Sequence, residues 1–218
     1  MLKRVLFVSY RETRFCENWN ILQPETVGKY DIPVLEPCYE TPWELVGFNF
    51  AKTEKDKSKG IHFFIDDYQF ESRLWRTPEK SAEVLKDFSC VLTPDFSLYT
   101  DFPMAMQIYN HYRKHWLGAY WQSLGMNVIP TIAWSDEKSF EWCFDGEPTQ
   151  STVAVSSVGT QRNKETKKLF LDGWDAMIDK LHPETVIFYG SVPKECMGNI
   201  VRVKAFQDKF REAKVNGW

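Results

Sequence analysis

The 218 residues, 43% hydrophobic and 16% aromatic, are enough for one core that buries roughly 70% of the unfolded chain's surface. A formal net charge of -3 excludes attraction of a polyanion such as DNA by the charge of the whole protein. The apolar run 5–8 is too short for a signal-peptide core, and no later run approaches the ~18 residues of a membrane span. We therefore expect a single domain over residues 1–218 in the cytoplasm, with no membrane contact.

Short runs rich in β-branched and aromatic residues alternate with helical patterns along the chain. Several runs are apolar at consecutive positions, which favours strands buried on both faces of a parallel sheet. The predicted strands are residues 5–9, 33–35, 45–50, 61–65, 89–93, 128–134, 152–156, 185–189 and 200–203.

Three segments have helical spacing. The longest covers residues 103–124, where apolar side chains recur at helical intervals and Gly125 supplies a stop. A second covers residues 164–181, with Asn163 as the N-cap and Pro183 preventing continuation. A shorter helix follows Thr77, whose successor is a first-turn proline.

The order of strands and helices predicts an α/β fold with a mostly parallel sheet and right-handed crossovers. About eight strands follow residue 33, which fits a compact TIM-barrel-like (βα) arrangement. The alternative is an open, doubly wound sheet. The five cysteines, including Cys143 in an aromatic setting, are far apart and are predicted to be reduced, buried thiols.

Functional groups in parallel α/β folds gather at the C-terminal ends of the strands. Asp66 and Asp67 follow one predicted strand, and Asp95 and Ser97 follow the next. The three carboxylates are candidate catalytic acid and base groups, and they can also bind a divalent cation such as magnesium or manganese. The alternative is that these residues only form turns and helix caps.

Small residues follow two later strands. Ser156 and Gly159 end one strand, and Tyr189 and Gly190 end another, where backbone amides can hold a phosphate group. Plain turn geometry is the alternative. Trp134, at a third strand end, is a candidate for stacking on a base or sugar.

The longest predicted helix carries polar residues off its apolar stripe. Gln107, Asn110 and Arg113 are candidate ligand-binding side chains, with a solvated helix face as the alternative. His111 and His115 share a face at i, i+4, as in zinc helices, but the glutamate of the metalloprotease pattern is absent. We expect these two to be surface histidines.

An ordered set of short motifs resembles one known family. The resemblance covers residues 28–203 and is specific because the motifs occur in order. The motifs are LTPDFSLYTDFP at 92–103 with Gln107, Asn110 and Arg113, GAYW at 118–121, VIPT at 128–131 with Trp134, VAVS at 153–156 with Gly159, Gly173, and Tyr189 with Gly190. The chain resembles the domain of unknown function 4417 family. This resemblance implies a protein of bacterial genomes, prophages or mobile elements, with a role in handling nucleotides or nucleic acid, or in interfering with a host defence. It implies no catalytic residues.

Three functions agree with these patterns. The first is binding, with or without hydrolysis, of a small polar or phosphorylated ligand such as a nucleotide at the strand ends. The second is a non-enzymatic protein that docks on a host component through aromatic side chains. The third is a nucleic-acid accessory protein that uses Arg162, Lys164, Lys167 and Lys168 with a basic stretch at 204–214. The oligomeric state is left open.

Overall fold

A computed structural model describes residues 16–205. The predicted strand 5–9, the side chain of Cys16 and the basic residues after 205 lie outside the described residues. The helices are α1 (Glu71–Trp75), α2 (Pro78–Leu85), α3 (Met104–Ser123) and α4 (Lys164–Leu181). Short 3-10 turns cover Cys16–Asn18, Phe48–Phe50, Asp67–Gln69 and Glu137–Glu141.

Within residues 16–205, nine short strands form three sheets. They are β1 (Thr26–Val27), β2 (Ile32–Pro33), β3 (Leu45–Gly47), β4 (Gly60–His62), β5 (Cys90–Leu92), β6 (Val128–Ile129), β7 (Thr152–Ser156), β8 (Thr185–Tyr189) and β9 (Ile200–Val203). Strands β3 to β6 form one parallel sheet and β7 to β9 another, while β1 and β2 pair antiparallel. The predicted α/β class with parallel strands is therefore confirmed.

The two parallel sheets meet through a parallel bridge between Thr131 and Ala154. The amide of Ile132 donates to the carbonyl of Ala154, and the amide of Ala154 donates to the carbonyl of Pro130. The strand order thus follows the chain order from β3 to β9, without the reversal of a doubly wound sheet. Within residues 16–205 no ladder joins β3 to β9, so the structure shows no closed barrel.

The parallel strands are covered on both faces. One apolar cluster is shared by strands from β3 to β8, which implies a strongly curved sheet; its buried members are Cys38, Leu45, Cys90, Leu92, Ile129, Ala154 and Ile187. On the opposite face, β4 to β6 pack against α1, α2 and α3, and β7 and β8 pack against α4. This two-sided burial explains why the strands are apolar at consecutive positions.

Helix α4 has the bounds that the sequence predicts. The Asn163 side chain caps it by accepting a hydrogen bond from the amide of Thr166 at 2.8 Å. The indole of Trp134 lies on the helix backbone at Gly173, where a Cβ atom would stand 2.1 Å from the indole nitrogen. Glycine is therefore required at 173 by close packing.

Four predicted strands, 45–50, 61–65, 89–93 and 128–134, are longer than the observed ones, and the two largest differences have a local cause. The strand predicted at 45–50 ends at Gly47, because the chain turns into a 3-10 helix at Phe48. The strand predicted at 128–134 ends at Ile129, because Pro130 has no amide hydrogen to donate. The strand predicted at 33–35 is displaced to Ile32–Pro33 and is antiparallel.

Four cysteines of the described region are free, buried thiols, as predicted: Cys38, Cys90, Cys143 and Cys196. Burial raises the pKa of Cys143 to about 12, so this thiol stays protonated and unreactive at neutral pH. None of the described helices combines the length and apolar character needed to cross a bilayer.

A candidate ligand-binding site at the strand ends

The C-terminal ends of all seven parallel strands open into one cleft of about 1420 Å³. Its wall is formed by the last strand residues and the loops that follow them. Eight of the predicted site residues line it: Asp66, Asp67, Asp95, Ser97, Trp134, Ser156, Gly159 and Tyr189. Eight of the twelve predicted site residues thus lie on this wall, and their role in binding stays a prediction.

A hydrogen-bond chain fixes the acidic side of the cleft. The amide and the hydroxyl of Ser97 donate to the two carboxylate oxygens of Asp67, at 3.0 and 2.8 Å. The side-chain amide of Asn110 donates to the carbonyl of Ser97 at 2.7 Å. Helix α3 thus holds the loop after β5, and that loop holds Asp67. Asp66, next to it, is exposed and makes no side-chain cap to the following 3-10 turn.

Asp95 is the most perturbed carboxylate of the cleft. Its pKa is raised to about 7, chiefly because burial disfavours the charged form and also because Asp67 is negative, while Lys114 opposes the shift. Burial likewise raises the pKa of Asp67, against the hydrogen bonds from Ser97. A carboxyl group that titrates near neutral pH in a cleft is suited to both give and take a proton.

The two small-residue loops differ in what they offer a phosphate group. Gly159 has φ +82° and no atom within 4 Å of where a Cβ would stand, so its backbone faces open space. Ser156 and Gly159 both line the cleft. Gly190 does not, because its amide donates to the carbonyl of Val203 and its carbonyl accepts from Arg202. The loop after β7 is therefore the better candidate for an anion.

Aromatic rings form another part of the cleft wall. The Tyr189 ring packs against His62 at 4.7 Å and against Phe64 at 4.8 Å between ring centroids. His62 ends β4 and lines the cleft, and sequence reasoning missed it. Its position just before the loop of Asp66 was the available signal. Trp134 also lines the cleft, but its indole nitrogen donates to the Leu169 carbonyl at 3.2 Å.

The three polar residues of α3 that were predicted to bind a ligand are buried and support neighbouring elements, and none of them lines this cleft. Gln107 donates to the carbonyl of Phe102 at 2.9 Å. Arg113 donates to Glu71 at 2.7 Å and to Asn110 at 2.5 Å. The alternative of a solvated helix face is therefore wrong for Gln107, Asn110 and Arg113.

The sequence pattern also predicts the wrong environment for the two histidines of α3. His111 and His115 are 1% and 0% exposed, so the expectation of surface histidines is wrong. The reason is that polar partners from distant parts of the chain pack over this face of the helix.

The basic residues near α4 are partly neutralised by acidic neighbours. Lys167 pairs with Glu195, and Lys168 pairs with Asp172, each at 2.6 Å. Arg162 lies at the cleft beside Gly159. Of these basic groups, Arg162 is thus the one placed to meet an anion in the cleft.

Comparison of the sequence with known proteins gives two relatives, both of which are phage proteins called Gene 1 protein. The one from Mycobacterium phage L5 is 42% identical over 171 residues, which are 77% of this chain and 74% of that protein. The one from Mycobacterium phage D29 is 36% identical over 195 residues, 87% of this chain and 72% of that protein.

A family model described as domain of unknown function (DUF4417) matches residues 24–207. The chain therefore belongs to this family, as the motifs around Asp95 and Asn110 indicated, and it is a phage-type protein. No solved structure matches the chain.

Proposed function

We propose that the cleft binds a small phosphorylated ligand, with nucleotides as the leading class. The observation that carries this proposal is a cleft formed by the ends of seven parallel strands, whose wall includes the open loop of Gly159, Arg162 and the carboxyl residue Asp95. Such strand ends are where ligands of parallel α/β proteins bind. The sequential strand order and the interior cluster support a TIM-barrel-like curvature around this cleft.

The two sides of the cleft suit two parts of such a ligand. The open loop of Ser156 and Gly159, with Arg162 beside it, offers backbone amides and a guanidinium to a phosphate group. The rings of His62 and Tyr189 line the cleft, tilted by 43° to each other, and would contact the base.

The acidic side of the cleft supplies a group for hydrolysis of a phosphate ester. Ionised Asp95 would take a proton from a water molecule as the water oxygen attacks phosphorus. The bond from phosphorus to the leaving oxygen breaks, and protonated Asp95 returns the proton to that oxygen. Burial, and then the charge of Asp67 that Ser97 holds in place, raise the pKa of Asp95, so that both steps are accessible near neutral pH.

The proposal is tested by following hydrolysis of nucleoside and sugar phosphates by the purified chain and by Asp95→Asn. We expect turnover that is lost in Asp95→Asn and retained in Asp66→Asn, which removes an exposed carboxylate of the same rim. Equal turnover in the wild type and in Asp95→Asn would remove Asp95 from the mechanism. Ligand binding without turnover would show that the cleft binds the ligand and does not hydrolyse it.

A second candidate is docking on a host protein. Tyr68 and Tyr99 are 78% and 60% exposed, and they lie on two rim loops that the Asp67–Ser97 hydrogen bonds join. Exposed aromatic rings are typical anchors of protein interfaces. Capture of a stoichiometric host protein that Tyr68→Ser together with Tyr99→Ser abolishes would support this function. Capture that the double variant leaves unchanged would contradict it.

A further inference from the structure

A second polar cluster lies inside the protein, outside the cleft wall. It consists of His111 and His115 on α3 and Glu147 on the loop that follows the last 3-10 turn. The side chains of all three are buried, and one nitrogen from each histidine and one Glu147 oxygen lie within 4.8 Å of one another. The two imidazole centroids are 4.3 Å apart.

Backbone carbonyls fix the proton on each ring. His111 Nε2 lies 3.1 Å from the carbonyl oxygen of Asp145, and His115 Nδ1 lies 2.8 Å from that of Pro33. A carbonyl oxygen can only accept, so these two nitrogens carry the hydrogens. The other nitrogen of each neutral ring, His111 Nδ1 and His115 Nε2, therefore presents a lone pair.

Two atoms of the cluster lack a hydrogen-bond partner, and one further contact needs a proton or a metal ion. His115 Nε2 lies 3.0 Å from Glu147 Oε1, and these two atoms attract each other only when a proton or a metal ion is bound between them. Within the described region, His111 Nδ1 and Glu147 Oε2 have no hydrogen-bond partner although both atoms are buried. Buried polar atoms are almost always paired, so two orphans in one cluster indicate a missing binding partner.

We propose that His111, His115 and Glu147 bind one divalent transition-metal ion, with zinc as the best match to two nitrogens and one carboxylate. Zinc holds such ligands at about 2.0–2.2 Å, which places tetrahedral ligand atoms ~3.4 Å apart. The three side chains would contract around the ion by small rotations. The carbonyls of Asp145 and Pro33 would then be the outer partners that orient metal-bound imidazoles.

The site is structural because it joins distant parts of the chain and is closed to solvent. Helix α3 supplies both histidines, and the loop of residue 147 is tied to β2 through the hydrogen bond from the Leu35 amide to the Gly146 carbonyl. Gly146 has φ +78°, and a Cβ there would stand 2.4 Å from the Pro33 carbonyl oxygen and 2.9 Å from His115 Nδ1. The backbone is therefore shaped to bring this loop against the histidine.

Lys114 limits the affinity of the site. Its ammonium donates to Glu147 Oε1 at 2.5 Å and to the carbonyl of Thr131 at 2.9 Å. The metal ion thus has to bind through Oε2 beside a positive charge, or displace the ammonium. Lys114→Met is therefore expected to tighten metal binding at least tenfold, an effect opposite to that of losing a ligand.

The experiment uses the full chain, purified without a metal-affinity tag, stripped with a chelator and titrated with Zn²⁺ and Co²⁺. We expect one ion per chain, visible absorption bands of four-coordinate Co²⁺, and a melting temperature raised by roughly 5–10 °C at a hundredfold excess over Kd. His115→Gln and Glu147→Gln should lose these effects. His182→Asn, which changes an exposed histidine at the left-handed C-cap of α4, should keep them.

The wild type alone also decides the question if the variants do not fold. Imidazole ¹⁵N NMR should report lone pairs at His111 Nδ1 and His115 Nε2 and shift both on addition of Zn²⁺, with His182 unchanged. Unchanged imidazole spectra and melting temperature with either metal would overturn the proposal. So would an undiminished metal stoichiometry in a folded His115→Gln variant.

Discussion

Replacing Asp95 by asparagine should change how the stability of this protein depends on pH. In the unfolded chain an aspartate has a pKa of about 3.9, whereas burial and the negative charge of Asp67 raise the pKa of Asp95 to about 7 in the folded protein. Below about pH 4 the group is protonated in both states and does not change the free energy of unfolding. As the pH rises towards 7, the unfolded state loses its proton first, so the free energy of unfolding falls.

The magnitude follows from the difference of about three pKa units. At about 1.4 kcal/mol per unit, ionised Asp95 lowers the free energy of unfolding by up to roughly 4 kcal/mol above pH 7. Part of the group is solvated, so a measured value of about 2–4 kcal/mol is expected. The Asp95→Asn variant carries no such penalty.

The assay is urea unfolding of the wild type and of Asp95→Asn from pH 4 to pH 8. The difference in free energy of unfolding, variant minus wild type, should rise with pH by about 2–4 kcal/mol and level off above pH 7. Asp66→Asn controls for the loss of one negative charge. A difference that stays constant over this pH range would refute the claim that Asp95 titrates near neutral pH.

Three further predictions concern packing, capping and thiol chemistry. Gly173→Ala should lower stability by about 1–3 kcal/mol in thermal unfolding, because its Cβ would meet the Trp134 indole; no loss relative to Asp175→Ala, on the exposed side of the same helix, would contradict this packing. Asn163→Ala should cost about 1 kcal/mol by leaving the first turn of α4 uncapped, and a cost near zero in urea unfolding would exclude the cap. Cys143 should resist a disulfide reagent in the native state and react after unfolding, because it is buried with a pKa of about 12; site-resolved mass spectrometry that finds it modified in the folded protein would show the burial to be wrong.

The fold was predictable where short-range signals suffice. Helix α4 has an N-cap at Asn163, a clear apolar stripe and a stop at Pro183, and all three act locally. The strands β7 and β8 are apolar at consecutive positions, and β7, β8 and β9 match the expected bounds. The rim position of Asp95 follows from the parallel order alone.

The buried polar face of α3 was not predictable from the sequence in the same way. Periodicity assigns Lys114, His111 and His115 to the solvent side, because it counts only apolar residues. Their partners Glu147 and Pro33 are 32 to 82 residues away in the chain, so no local pattern contains them. Only the tertiary structure shows which distant residues meet this polar face.

The proposed ligand site is tested most directly by thermal shift of the purified chain with a panel of nucleoside phosphates and sugar phosphates. A ligand that binds only the folded state raises the melting temperature by mass action. We predict that at least one compound of the panel raises it in the wild type and in Asp66→Asn, and that Asp95→Ala abolishes the shift. An unchanged melting temperature across the panel, or the same shift in Asp95→Ala, would contradict a phosphorylated-ligand site at the strand ends.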